Sequence, residues 1–236
     1  MNTKEVKKEF GIDLSEYVIR QLTSFSELFK TYNSHTNLMS KNDVNLLFEK
    51  HIFDSLAISR FLEKYCEDEQ LKILDIGTGG GFPSLPMAIV FPLFEIMALD
   101  SIKKKIDFIE LAKRELGLGN IKPICCRVED LQENFKESFD LVTSRAVADL
   151  NVILEYAVPF LKIGGYFVAY KSKIADEEIE KSRNALKLLG ASIIDKIEYK
   201  LPLMEHHDRV LIVIRKEKKT SNRYPRKNGI VKKAPL

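Results

Sequence analysis

A chain of 236 residues, 45% hydrophobic and 30% charged, is long enough to bury a full core as one domain with accessory elements. Its cysteines, Cys66, Cys125 and Cys126, form no Cys-x-x-Cys pair, so neither a zinc cluster nor a disulfide framework is indicated; the start Met-Asn-Thr-Lys-Glu-Val-Lys-Lys lacks the apolar core of a signal peptide, so a reduced, cytoplasmic protein is expected. Residues 216–236 hold eight basic side chains and one acid, +7 against +3 for the whole chain, which leaves the body at −4: a basic tail of the kind that contacts nucleic acid, or more plainly one that aids solubility.

In chain order, Asp13 with Glu16 three residues on resembles a capping box. Val18, Leu22, Phe25, Phe29 and Tyr32 then recur at helical spacing, predicting an amphipathic helix to about His35. A second helical stretch is predicted from about Asp43 to Tyr65, so residues 1–70 form a helical cap on the main fold. His51, Asp54 and Ser55 share one face of that stretch. They cannot reproduce a hydrolase triad from a single helix, and no Gly-x-Ser-x-Gly elbow exists, so a polar helix face is expected. His206 and His207 show no ligand spacing with His51, and a metal site is rejected.

The stretch Leu71-Lys-Ile-Leu-Asp-Ile-Gly-Thr-Gly-Gly-Gly-Phe-Pro83 organises the rest. Ile73, Leu74 and Ile76 suit a strand buried on both faces, a glycine loop comes next, and Pro83 stands where a helix can begin without a backbone donor. Strand, glycine loop and helix N-terminus make a nucleotide site, because the ligand reaches the backbone and the helix end presents free N–H groups. The dinucleotide pattern Gly-x-Gly-x-x-Gly requires glycine at position 82, which is Phe82. Instead Asp75-x-Gly77-x-Gly79-x-Gly81 resembles motif I of class I S-adenosylmethionine (AdoMet) methyltransferases. A second strand ends in Asp100, 19 residues past Gly81, where such folds place a carboxylate on the ribose hydroxyls. The apolar run from Phe82 to Leu99 is interrupted by Pro83, Pro86, Pro92 and Glu95, and reads as helix, turn and strand rather than a membrane span.

Strands are predicted at 72–76, 94–99, 120–125, 139–143, 165–171, 191–199 and 209–215, and helices near 84–91, 103–116, 149–161 and 175–189, with Gly117 and Gly190 as helix C-caps. This alternation over 71–215 predicts an α/β fold with a mainly parallel sheet and ligands beyond the carboxyl ends of its strands; with the resemblance to motif I it implies a seven-stranded Rossmann-like sheet of the class I AdoMet-dependent methyltransferase type. After the third strand, Val128 can pack on an adenine ring and Glu129 or Asp130 can face its amino group; the alternative is a charged surface turn. After the fourth, Ser144-Arg145-Ala146 decides the chemistry. Neither the Asn/Asp-Pro-Pro-aromatic motif of exocyclic amine methylation nor the cysteine of pyrimidine C5 methylation stands there. Donors suit a nucleophile with a free lone pair and no proton, such as guanine N7, whose neighbour O6 accepts from arginine. Arg145 is the candidate catalytic residue, against the plainer reading of a surface salt bridge.

Tyr32-Asn33…Asn37-Leu38, His51-Ile-x-Asp-Ser-Leu56, the glycine stretch from Asp75 to Pro83, Asp100-Ser101, Arg127-Val-Glu129, Ser144-Arg-Ala146 and Tyr224-Pro-Arg-Lys227 together resemble the bacterial 16S ribosomal RNA guanine-N7 methyltransferases, the family once named glucose-inhibited division protein B. The resemblance runs from about Leu14 to the C-terminus. It implies AdoMet against Gly77, Gly79, Phe82, Val128, Glu129 and Arg145, with Asp100 on the ribose. It implies 16S rRNA, or the small subunit or its precursor, against Arg127, Lys171 and Arg209 and the tail residues Arg223, Arg226 and Lys227. A monomer with no membrane partner is expected. Met39 and Ser84 depart from the family's usual Thr and Gly, which leaves the loop shape at Ser84 open. An NAD-dependent oxidoreductase and a non-catalytic RNA-binding assembly factor are the rival readings.

Overall fold

The computed structural model describes residues 3–172, 175–201, 208–227 and 229–236. Helix α1 (Thr3–Phe10), which the sequence reading does not anticipate, buries Val6 and Phe10 one turn apart. Helix α2 (Glu16–Thr36) buries Leu22, Phe25 and Phe29 of the expected stripe together with Asn33, while Val18 and Tyr32 are half-buried. Its cap is Ser15, whose hydroxyl accepts from Val18 N at 3.3 Å, while Asp13 pairs with Lys7. The capping box on Asp13 is corrected accordingly: the capping side chain belongs immediately before the first helical residue.

The stretch expected as one helix divides into α3 (Lys41–Asn45), a π-helical turn (Leu47–Ile52), α4 (Phe53–Leu56) and α5 (Ile58–Tyr65). Leu47 and Ile52, five residues apart, are both buried. An α-helix would point them roughly 140° apart, and the wider π turn brings them onto one side.

From Lys72 strand and helix alternate: β1 (Lys72–Ile76), α6 (Ser84–Val90), β2 (Glu95–Asp100), α7 (Lys103–Glu115), β3 (Ile121–Cys125), β4 (Phe139–Arg145), α8 (Leu150–Ala157), β5 (Leu161–Ser172), α9 (Ala175–Lys181), α10 (Arg183–Leu189), β6 (Ala191–Lys200) and β7 (Asp208–Lys216). Gly117 and Gly190 come after α7 and α10 at positive φ, as helix C-caps do. The helix expected to reach residue 161 stops at Ala157, where Pro159 enters a 3-10 turn and removes a backbone donor. His206 and His207 lie outside the described residues.

The strands form one seven-stranded sheet in the order β3-β2-β1-β4-β5-β7-β6, with β1 to β5 parallel and β7 antiparallel to both neighbours. The two-residue strand period splits the core. Ile73 with its partners Ile96 and Leu141 faces the cap helices, and Leu74 with Met97 and Val142 faces the other side. After β1 the chain moves outward through β2 and β3 and returns to β4. The crevice beyond β1 and β4 is the place where sheets of this kind bind ligands.

The basic stretch 216–236 is packed onto the body at several points. Lys216 is fully buried, and its Nζ donates to Leu161 O at 2.8 Å and pairs with Glu137 at 3.0 Å. The chain then folds back over α8, where Arg226 forks onto the buried Glu155 through Nε and Nη2 at 2.9 and 2.7 Å. Tyr224 and, on α11 (Ile230–Lys233), Val231 enter the core beneath it.

Candidate active site at the carboxyl ends of β1 and β4

The loop after β1 is anchored at its first turn: Gly77 N and Thr78 N both donate to Leu99 O, at 2.8 and 3.0 Å. A Cβ on Gly77 would meet Val147 at 2.4 Å, and Gly80 and Gly81 lie as closely against Phe29 and Leu85. Gly79 is different. It sits at φ +60, and a Cβ there would find only Gly77 O, at 3.9 Å. Three of the glycines serve packing within the protein, and Gly79 borders open space. The Thr78 and Ser84 hydroxyls hydrogen-bond each other, which settles the loop shape at Ser84: the departure from glycine closes the turn into α6.

Gly79 N donates to Asp100 Oδ2 at 3.0 Å, and the same carboxylate accepts from Lys105 Nζ at 3.2 Å and from Ile102 N at 2.9 Å. Val128 is buried and Glu129 half-buried in a 3-10 turn beyond β3. Asp75 lies fully buried beneath the loop, with Oδ1 accepting from Thr143 at 3.0 Å and Oδ2 lacking a partner among the described residues. Burial pushes its pKa up to about 6, while hydrogen bonds from nearby hydroxyls and the Arg145 charge pull it back. A loop open only at Gly79, a carboxylate at its rim and an orphaned acid oxygen below it fit a ligand that carries ribose hydroxyls and a cationic group, as AdoMet does.

Phe82 is only 4% exposed; its ring packs on Phe25, Phe29 and His51, and its N–H goes to Thr78 O. It shapes the loop from behind.

At the end of β4, the Ser144 hydroxyl donates to Ile76 O at 3.1 Å and is buried, so it ties β4 to β1 and is not the pocket donor the sequence suggested. Arg145 lies over the Phe82 ring, 5.7 Å from its centroid. Its Nη1 donates to Asp54 Oδ2 at 2.6 Å and reaches Lys50 O at 3.5 Å, and its Nη2 bonds His51 Nδ1. The Arg145 and Asp54 side chains are 14% and 5% exposed, so this is a buried pair rather than a surface salt bridge. The expected polar face of His51, Asp54 and Ser55 is corrected too: the segment turns inward, and Ser55 is fully buried. Burial first, and then the Arg145 charge, depress the His51 pKa to about 3. The imidazole is neutral, with Nδ1 accepting and the proton on Nε2.

A family model described as rRNA small subunit methyltransferase G (GidB) matches residues 18–210. The ribosomal RNA small subunit methyltransferase G of Streptococcus pyogenes serotype M12 (strain MGAS2096) is 41% identical over 231 residues, which cover 97% of this chain and 96% of that protein. The chain belongs to the rRNA small subunit methyltransferase G family. The protein of the same name from S. pyogenes serotype M1 is 40% identical over the same shares. Among solved structures, M. jannaschii TYW2 in complex with AdoMet aligns with a TM-score of 0.52 at 18% identity, covering 64% of this chain and 70% of that one. The cyclase SpnF aligns with a TM-score of 0.55 at 16% identity, covering 70% and 81%. Such distant likeness shows the class I methyltransferase fold, and a cyclase among the matches underlines that chemistry is argued from the site.

The basic residues that the sequence suggested for RNA contact separate into three sets. Arg127 and Lys227 are exposed, and Arg223 is exposed while stacked on Tyr224 with 4.7 Å between guanidinium carbon and ring centroid. Arg209 reaches toward Asp54, its Nε 3.9 Å from Oδ1 and buried without a hydrogen-bond partner among the described residues. Lys171 and Arg226 are committed elsewhere: Lys171 Nζ holds Ala148 O at 2.8 Å and Glu178, and Arg226 holds Glu155. Sequence reasoning missed the polar cluster that binds Arg145. Asp54 and His51 were visible by spacing, but their partner Tyr199, whose hydroxyl donates to Asp54 Oδ1 at 2.5 Å, gave no local signal. A cavity of about 580 Å³ lined by Lys72, Glu95, Asn120 and Phe139 opens at the amino ends of the strands, away from the glycine loop.

Proposed function

We propose that this protein transfers a methyl group from AdoMet to N7 of a guanine in 16S ribosomal RNA, as a cytoplasmic monomer acting on the small ribosomal subunit or its precursor. The observation that carries the reading is that neighbouring parallel strands end in the two parts needed: β1 in the glycine loop with its Gly79–Asp100 bridge, and β4 in a guanidinium rather than an acceptor motif. The family name supports small-subunit rRNA as the substrate. No helix among the described residues is long and apolar enough to cross a membrane.

Gly77, Gly79 and Asp100 would hold the amino acid and ribose parts of AdoMet, Val128 and Glu129 its adenine, and Phe82 keeps the loop in shape from behind. Bound there, AdoMet supplies an electrophilic methyl on a sulfonium. Guanine N7 offers a lone pair without a proton, so the protein needs no general base and contributes placement and charge. Arg145 holds the cap through Nη1 and through one N–H of Nη2, and its Nε–H and second Nη2–H are donors for guanine O6 or for the ligand's carboxylate. Arg127, Arg223 and Lys227 are free to meet RNA phosphates, and Arg209 lies deeper, beside Asp54. Phe82, locked into an aromatic cluster where a dinucleotide loop needs its third glycine, argues against the oxidoreductase reading.

The test is incubation with methyl-labelled AdoMet and small-subunit RNA, free and as an assembled particle, followed by nuclease digestion and mass spectrometry. The expected product is 7-methylguanosine. Methyl on an exocyclic amine or a sugar, or none on either RNA form, overturns the reading.

A further inference from the structure

We infer that Asp54 is a positioning residue for Arg145: its carboxylate on the cap fixes the plane of the guanidinium, and so aims the N–H donors that Arg145 does not spend on the cap. This rests on the reading of Arg145 as the donor to the base or to the cofactor's carboxylate.

An arginine at the end of a strand has a long, rotamer-rich stem and no intrinsic direction. Here two partners from adjacent turns of the cap segment set that direction. Asp54 Oδ2 accepts from Nη1 at 2.6 Å, and His51 Nδ1 accepts from Nη2. Two hydrogen bonds to different atoms of a planar group fix its plane as well as its place. His51 is neutral and contributes direction only, whereas Asp54 is the carboxylate in ion-pair contact with Arg145 among the described residues. The other oxygen of Asp54 is held in turn: Oδ1 accepts from the Tyr199 hydroxyl at 2.5 Å and lies 3.9 Å from Arg209 Nε. Next to it, the Tyr170 hydroxyl donates to Ser55 O at 3.0 Å. Asp54 therefore cannot swing away with its own side chain. The cap, β4, β6 and β7 converge on this one carboxylate, and it sets the direction of the remaining Arg145 N–H donors.

A merely structural Asp54 would hold the cap on the sheet whatever stands at position 145. The two roles separate in a double-mutant cycle. Wild type, Asp54→Asn, Tyr199→Phe, Arg145→Ala and the double variant Asp54→Asn/Arg145→Ala are compared by AdoMet calorimetry, thermal melting, single-turnover methyl transfer to small-subunit RNA, and nitrogen NMR of the arginine guanidinium groups. Asp54→Asn should slow transfer by about 10- to 100-fold, the range seen when a group that orients a ligand from behind is removed. In the Arg145→Ala background the same change should cost less than about twofold, because nothing remains to be aimed. The Arg145 signal should show slow rotation in the wild type and averaged Nη signals in Asp54→Asn. Tyr199→Phe should move rate and signal in the same direction by less, and carries the test if Asp54→Asn does not fold. Equal cost in both backgrounds, or an ordered Arg145 signal in folded Asp54→Asn, overturns the inference. Wild-type protein that transfers no methyl overturns the functional reading instead, and the NMR comparison still decides whether Asp54 holds Arg145.

Discussion

The backbone N–H of Gly79 donates to Asp100 Oδ2 at 3.0 Å, so the open part of the glycine loop and the carboxylate at the end of β2 form one unit. The loop cannot move away from Asp100 without breaking that bond.

Gly79→Val should abolish AdoMet binding by calorimetry, because the branched side chain fills the space beside Asp100. Its φ of +60 adds a cost on the order of 1–2 kcal/mol for any L side chain, so a modest fall in melting temperature should accompany the loss. Gly77→Ala should melt lower still, since its Cβ would meet Val147 at 2.4 Å. Wild-type AdoMet affinity in Gly79→Val with a near-native melt would show that the ligand lies elsewhere.

Arg145→Ala should lower the methyl-transfer rate by ~10²-fold or more, the scale of losing one oriented donor. It should also destabilise the fold, since Asp54 is left as a buried charge without its partner. Arg145→Lys should restore little of the rate, because a point charge cannot bond Asp54, His51 and a ligand from one plane. Rates must be scaled to the folded fraction. His51 titrates at about 3, so the pH–rate profile should show no ascending limb near neutrality from that residue. Full activity in Arg145→Ala would sink the mechanism.

Asp75 gives a pH signature of unusual sign for an acid. Its pKa rises from 3.8 to about 6 on folding, so the native state binds the proton more tightly than the unfolded chain. The stabilising contribution is fully present below about 3.8 and is lost as pH rises through about 6. Asp75→Asn, which carries no charge to bury, should be more stable than wild type at neutral pH and lose that advantage in acid. Denaturant titrations across this window measure the difference. An advantage that grows toward acid pH would refute the assignment.

Deleting the C-terminal stretch tests folding rather than RNA binding. Tyr224 and Val231 are core residues, and Tyr224→Ala alone should cost about 3–5 kcal/mol. The RNA question is better put by changing the exposed cations Lys218, Lys219, Arg223, Lys227, Lys232 and Lys233 to glutamine. The salt dependence of RNA binding should then flatten, each lost phosphate contact removing roughly 0.7–0.9 from the log–log slope. Melting and AdoMet affinity should be preserved. An unchanged slope would leave these cations a solubilising role only.

What the sequence by itself determined was local. Alternating apolar runs closed by Gly117 and Gly190 placed the strands and helices to within a few residues, and Asp75-x-Gly77-x-Gly79-x-Gly81 located the loop, because dihedral needs and periodicity act over one or two turns. The same local rules misjudged whatever depended on a distant partner. His51 and Asp54 read as a solvated face because Arg145, 91 residues beyond Asp54, and Tyr199, 145 residues beyond it, meet them only once the cap closes on the sheet. The packing of the basic tail was equally illegible, because the Glu155 that binds Arg226 lies 71 residues back in the chain. A charged residue carries no mark of whether its counter-charge will be water or another side chain. Tertiary structure decides that, since the desolvation that turns a surface cation into a buried, aimed one exists only after the elements have packed.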